Sequence, residues 1–171
     1  MDLKNYPHIS QHWHKSCDEI DLKRFEDSYV EYWSHRSCGI ACVLSILKSK
    51  GIQENLIDLF KYGIERKAYC DRGWIHSGLA DLIESYGLNA QAKALSTENI
   101  IKGVNHGKVY IISVTHQLLQ DGKKGGHLIL LNGVKGSTAF FMDHFYMGES
   151  HNEIDIERLF CSYSGRCIEV Y

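Results

Sequence analysis

Three short runs rich in Val, Ile, Leu and Phe crowd the second half of the chain, at 108–114, 128–134 and 139–143. Turn-prone segments separate them, so each reads as a buried strand. The first half has a different period. Ile40, Val43, Leu44 and Leu47 recur at helical spacing, and Gly51 stands where a stop belongs, which predicts a helix over 38–50. Shorter helices are expected over 54–62 and over 78–86, the latter capped by Ser77 and ended by Gly87. A strand at 90–95 and a helix capped by Ser96 or Thr97 that ends near Gly107 follow. A last helix near 152–161 precedes an edge-like strand at 166–171, and residues 1–37 are expected to be irregular with one short helix near 19–26. Helices first and antiparallel strands second make an α+β arrangement.

The size of the chain, 171 residues, corresponds to one domain spanning 1–171, and neither a repeat nor a linker interrupts it. A net charge of −2 provides no basic surplus for a phosphate backbone, so nucleic acid is not an expected partner. No apolar run approaches the ~18 residues of a membrane span. The start MDLKNYPHIS has no signal-peptide core, so a cytoplasmic protein is expected. Six cysteines then read as reduced thiols and not as a disulfide framework.

One of these thiols has a distinctive setting. Cys38 opens the apolar helix in the segment Trp33-Ser34-His35-Arg36-Ser37-Cys38-Gly39-Ile40-Ala41-Cys42. Unpaired N–H groups at a helix start favour an anion, and hence thiolate over thiol. Gly39 beside it would let a substrate backbone approach. A cysteine used as a small core hydrophobe is the bland alternative, and position alone slightly favours it. His127 changes the balance, because it enters an apolar strand directly after Gly125-Gly126, a place both rigid and open to a cleft. Asp143 ends the next strand. If the two strands pair antiparallel, the start of one lies beside the end of the other, and the carboxylate can orient the imidazole.

The segments PHISQ at 7–11, YWSHRSCGIACVLSIL at 32–47, RGWIHSGLADLIESYGL at 72–88, GGHLILLNGV at 125–134 and FFMD at 140–143 together resemble the papain-like cysteine peptidases related to the bacteriocin-processing, double-glycine leader peptidases, in particular their stand-alone relatives. The resemblance implies a papain-like fold with N-terminal helices on a C-terminal antiparallel sheet. It implies a triad of Cys38 as nucleophile, His127 as base and Asp143 as orienter, with a glutamine that completes the oxyanion hole. In the leader peptidases that glutamine lies a few residues before the cysteine, where this chain has Glu31, Tyr32 and Trp33. Gln11 fits the further-upstream arrangement of the stand-alone relatives. His144 stands where relatives commonly carry proline. Trp74, in the loop before the middle helix, and Gly126, in the flexible turn 122–126, are the expected substrate-contacting residues.

The expected chemistry is thioester-mediated hydrolysis of a peptide or amide, with no cofactor. The same triad would serve an acyltransferase or cyclase if an amine replaced water, and a silent peptide-binding module is the reading from another class. His12, His14 and Cys17 match no zinc pattern, and Cys42, one turn past Cys38, reads as a buried packing thiol.

Overall fold

The computed structural model describes residues 6–145 and 152–171. The polar, aromatic N-terminal region forms three short helices, α1 (Trp13–Ser16), α2 (Glu19–Leu22) and α3 (Asp27–Ser34), where sequence suggested one. Tertiary contacts account for the difference. Trp13 is fully buried against Phe60 at 5.0 Å between ring centroids, and Trp33 meets the same ring at 4.6 Å. Aromatic pairs of this kind add to area burial, and they order a region that intrinsic propensity leaves open.

Helix α4 (Cys38–Ser49) is buried without a break from Gly39 to Leu47. A helix that is apolar on all sides is enclosed on all sides, and α4 lies at the centre of the molecule. α5 (Leu56–Glu65) follows, capped by the Asn55 side chain, then a two-strand hairpin of β1 (Tyr69–Cys70) and β2 (Gly73–Trp74). α6 (His76–Glu84) begins two residues earlier than the Ser77 cap predicted, with Ile75 at the cap position and no side-chain cap bond. Packing sets this start: a Cβ on Gly78 would lie 2.7 Å from the Ala68 Cα, so the glycine lets the first turn of α6 close on the hairpin. β3 (Ala90–Ala94) and α7 (Thr97–Asn105), capped by Ser96, then lead to β4 (Val109–Val114), β5 (His127–Lys135) and β6 (Thr138–Met142).

The predicted helix at 152–161 is two elements among its described residues, β7 (Asn152–Asp155) and α8 (Ile156–Phe160), with Asp155 capping α8 through bonds from the Glu157 and Arg158 N–H groups. The last strand, β8 (Arg166–Val170), is not at an edge. The sheet order is β3-β8-β4-β5-β6-β7, antiparallel throughout, so β8 inserts between β3 and β4. Its one carboxylate, Glu169, is buried there and satisfied by Lys93, Lys108 and the Tyr110 hydroxyl. One face of the sheet packs on α4, α5 and α6. The other packs on α7 and α8.

The β5–β6 ladder contains the feature that positions the site. Near the turn, Lys135 pairs with Thr138 and Gly133 with Phe140. A bulge lies between Leu131 and Gly133, and beyond it Leu131 pairs with Phe141 and Leu130 with Met142. Continued by one step, this register sets Asp143 opposite Ile129, two residues from His127 and on the same face. Without the bulge Asp143 would lie opposite Leu130, and its side chain would point to the other face, because side chains alternate along a strand. Inserting one alanine between Met142 and Asp143 would set the carboxylate opposite Leu128 and on the other face, and is therefore expected to separate His127 from Asp143. A histidine-resolved NMR titration checks this: the raised His127 pKa described below should fall, since the Asp143 hydrogen bond would no longer oppose burial.

Candidate active site

Cys38 occupies the first position of α4, half-buried at the mouth of a cleft. Ser37 is the N-cap residue, yet it makes no side-chain cap bond. Its hydroxyl is used elsewhere, donating to the Trp33 carbonyl at 2.7 Å and accepting from Trp13 Nε1 at 2.9 Å. The first-turn N–H groups of α4 are thus not consumed by the cap. Gly39 has a different role from the one its sequence suggested. It is buried, and a Cβ there would meet Leu79 Cδ1 at 2.8 Å and Trp74 Cδ1 at 3.0 Å. This glycine admits α6 and Trp74 against α4, not a substrate.

His127, the first residue of β5, and Asp143, just past β6, meet at 2.8 Å between Nε2 and Oδ1. Both are buried, 6% and 4% exposed, so solvent screens the pair little. Burial disfavours the imidazolium, but the hydrogen bonds to Asp143 and to the Cys38 thiol outweigh it and hold the His127 pKa well above the usual histidine range. Burial likewise opposes ionisation of Asp143, and the bonds from His127 and the Phe145 N–H overcome that and lower its pKa. With Nε2 committed to the carboxylate, Nδ1 is the ring nitrogen left for Cys38. Two strand ends and one helix start thus bring Cys38, His127 and Asp143 together.

Gln11 reaches the same neighbourhood by an unrelated route. Its backbone N–H donates to the His144 carbonyl at 2.9 Å, and its Nε2 donates to the Ser34 carbonyl at 2.9 Å. Oε1 is buried with no hydrogen-bond partner among the described residues. Gln11 is itself 1% exposed and does not line the cleft. The N-terminal arm therefore ties the loop before Cys38 to the turn after β6. His144 fastens it: the ring is fully buried and donates from Nδ1 to the Ile9 carbonyl at 2.8 Å. Burial, with the neighbouring His8 ring, pushes the His144 pKa down to about 3, so the ring is neutral. Sequence reasoning noted His144 only as a departure from proline; nothing local signals a clamp whose partner is 135 positions away. A group of rings around Phe145 was also missed. His116 approaches it at 4.3 Å, and His12 at 4.9 Å.

The cleft beside Cys38 has a volume of about 360 Å³, within the range of ligand sites. Trp74 forms part of its wall while its indole anchors the nucleophile loop, donating from Nε1 to the Arg36 carbonyl at 2.6 Å. Gly126 lines it too, at φ +101°, a left-handed conformation that favours glycine. Cys42 is buried with its thiol 3.7 Å from the Leu128 carbonyl, and burial raises its pKa. Burial also pushes Cys17 up to about 12 and Cys167 up to about 11. Among the described residues no group of three His, Cys, Asp or Glu side chains is arranged to hold a metal ion, and no helix is long and apolar enough to cross a membrane.

No protein-family model and no curated protein matches the sequence. Solved structures do match. A C39-like peptidase from Bacillus anthracis superposes with a TM-score of 0.69 at 14% identity, covering 99% of this chain and 96% of that one. The peptidase domain of Streptococcus ComA, a bi-functional ABC transporter involved in a quorum-sensing pathway, gives 0.64 at 16% identity, over 80% of this chain and 91% of that one. A double-glycine-motif protease from an AMS/PCAT transporter, solved in complex with the leader peptide, gives 0.57 at 20% identity, with 78% and 84% covered. At these identities the likeness is one of fold, and it is the papain-like α+β fold the sequence resemblance implied.

The His144 clamp has a measurable pH signature. His144 stays neutral in the fold, but in the unfolded chain it takes up a proton below its ordinary value near 6.5. Its contribution to stability is therefore present above pH 6.5 and is lost as pH falls toward 3. Denaturant unfolding should show a loss of about 2 kcal/mol between pH 7 and pH 5 from this group. His144→Asn is expected to flatten the pH dependence by that amount.

Proposed function

We propose that the protein is a cysteine peptidase or related amide hydrolase acting through a thioester acyl-enzyme. The observation that carries the reading is the buried 2.8 Å His127–Asp143 pair with the Cys38 thiol on the same imidazole. In an ordinary core, two buried ionisable groups beside a thiol would be a costly arrangement. At the mouth of a cleft they form an activated nucleophile, its base and the group that orients the base. The C39-like and double-glycine-motif peptidase folds of the structural neighbours support the same class of reaction.

The steps follow from these positions. Cys38 Sγ adds to the scissile carbonyl carbon, and the negative charge that develops on oxygen is stabilised by the Cys38 N–H at the start of α4. Gln11 supplies the second donor from its Nε2 group, of which one hydrogen is committed to the Ser34 carbonyl. Collapse of the tetrahedral species breaks the C–N bond, and the His127 imidazolium gives its proton to the leaving amine. The neutral imidazole then takes a proton from water, the hydroxide adds to the thioester, and the acid departs as the Cys38 sulfur is released with its imidazolium partner restored. Asp143 holds the ring through both half-reactions. Trp74 and Gly126 contact the bound acyl chain.

Turnover of a mixture of quenched fluorogenic octapeptides tests the assignment. Cleavage should appear with the wild-type chain, vanish in Cys38→Ser, and fall about 100-fold in kcat with little change in KM in Gln11→Ala. Cleavage that survives Cys38→Ser would remove the proposed chemistry.

A further inference from the structure

The cleft wall beyond the nucleophile has an unusual charge. Arg36, Arg72 and Arg166 line it, joined by His35 and His76, and no aspartate or glutamate does. The chain as a whole carries more acid than base, 21 Asp and Glu against 19 Lys and Arg, so the positive wall is a local segregation and not a reflection of composition. None of the three arginines is in an ion pair among the described residues, although Arg24 and several lysines are. The neighbouring carboxylates do not neutralise them. Asp71 lies outside the lining, and Asp143 is committed to His127.

Arg36 is held in place without a carboxylate. Its guanidinium carbon lies 3.7 Å from the centroid of the Tyr32 ring, Nη1 donates to the Tyr32 carbonyl at 3.0 Å, and the Tyr69 hydroxyl is a further partner. This is a preorganised cation two residues before Cys38, with N–H donors remaining. Arg166 projects its charge into the same space, where it adds to burial in lowering the His76 pKa.

The wall also continues past the first cleft. A second groove of about 300 Å³ shares Ile75, His76 and Arg166 with it and runs along Ala92, Lys93 and Ala94. β3 is the outer strand of the sheet. Three consecutive residues of a strand alternate in side-chain direction, so lining by all three marks a groove along the strand edge, a surface that receives extended peptide backbone. A small anion would need only the pocket at Arg36. The groove extends well beyond it.

We propose that the cleft selects acidic peptides: an extended segment with Asp or Glu side chains lies along the Arg36–Arg72–Arg166 wall toward the edge of β3, and so presents its scissile carbonyl to Cys38. This specificity rests on the reading of Cys38 as the nucleophile, but binding can be measured apart from it. Fluorescein-labelled Ala-Glu-Ala-Glu-Ala-Gly amide and its Gln counterpart are titrated with the Cys38→Ser protein, and bound peptide is read by anisotropy. The Glu peptide is expected to bind about tenfold tighter at low ionic strength, the sum of a few partly exposed charge pairs. That advantage should collapse in Arg72→Gln/Arg166→Gln and in 1 M NaCl. Both residues are exposed, so the double variant should retain the wild-type Tm. Equal affinity for the two peptides would overturn the proposal, and so would an advantage that persists in the double variant. Displacement of the Glu peptide by equimolar inorganic phosphate would overturn the peptide assignment in favour of a small-anion site. An acidic preference in a protein that cleaves no octapeptide would leave the binding site standing and remove only the hydrolase reading.

Discussion

The register of β5 on β6 is the constraint on which the site depends. A two-residue period allows no intermediate positions, so Asp143 faces either the His127 side of the sheet or the opposite side. The hairpin turn alone sets the wrong phase. One extra residue at the bulge between Leu131 and Gly133 corrects it, and the resulting pair is buried enough for the hydrogen bond at 2.8 Å to outweigh the desolvation of both groups. Bulges are a recurrent device for re-aiming side chains next to functional sites. Here the displacement is one step of the ladder and its consequence is the whole charge arrangement.

Cys38 comes from an unrelated part of the chain, and the N-terminal arm holds the two parts in register. Ser34, at the end of α3, and Ser37, in the loop before the cysteine, are bonded to Trp13 and Gln11. The turn after β6 is bonded to Ile9, Gln11 and His12. A strap of this kind acts through orientation, since small misplacements at a reacting centre are costly in rate. It also accounts for a buried histidine, His144, that takes no part in proton transfer: a neutral imidazole supplies one donor to the arm, and its pKa is pushed far enough down to keep it neutral at physiological pH.

The strands of the second half were legible because their composition is strongly apolar and their boundaries are marked by turns; β4, β5 and β6 all lie within a residue or so of their predicted spans. α4 was legible for the same reason. β8 was misplaced at an edge, because its neighbours in the sheet and the partners that satisfy its buried Glu169, Lys93, Lys108 and Tyr110, are distant in sequence. Of the three N-terminal helices, α2 falls within the short helix expected near 19–26, while α1 and α3 were not legible, being ordered by ring contacts and not by propensity. Within the site, Cys38, His127 and Asp143 could be nominated from helix start, strand start and strand end. The bulge that makes their meeting possible has no sequence signature beyond Gly133, and Gly39 was misread because only the fold reveals Leu79 and Trp74 against it.

The dependence of one thiol on its partners is the most direct test. The chain is treated at pH 6 with limiting iodoacetamide, and each of the six cysteines is followed by peptide mass spectrometry, in the wild type and in His127→Ala. Cys38 should be alkylated well before the other five, the exposed Cys161 included, and His127→Ala should abolish that lead. Equal labelling of Cys38 and Cys161, or a Cys38 rate unchanged without the imidazole, would contradict an activated nucleophile at this site.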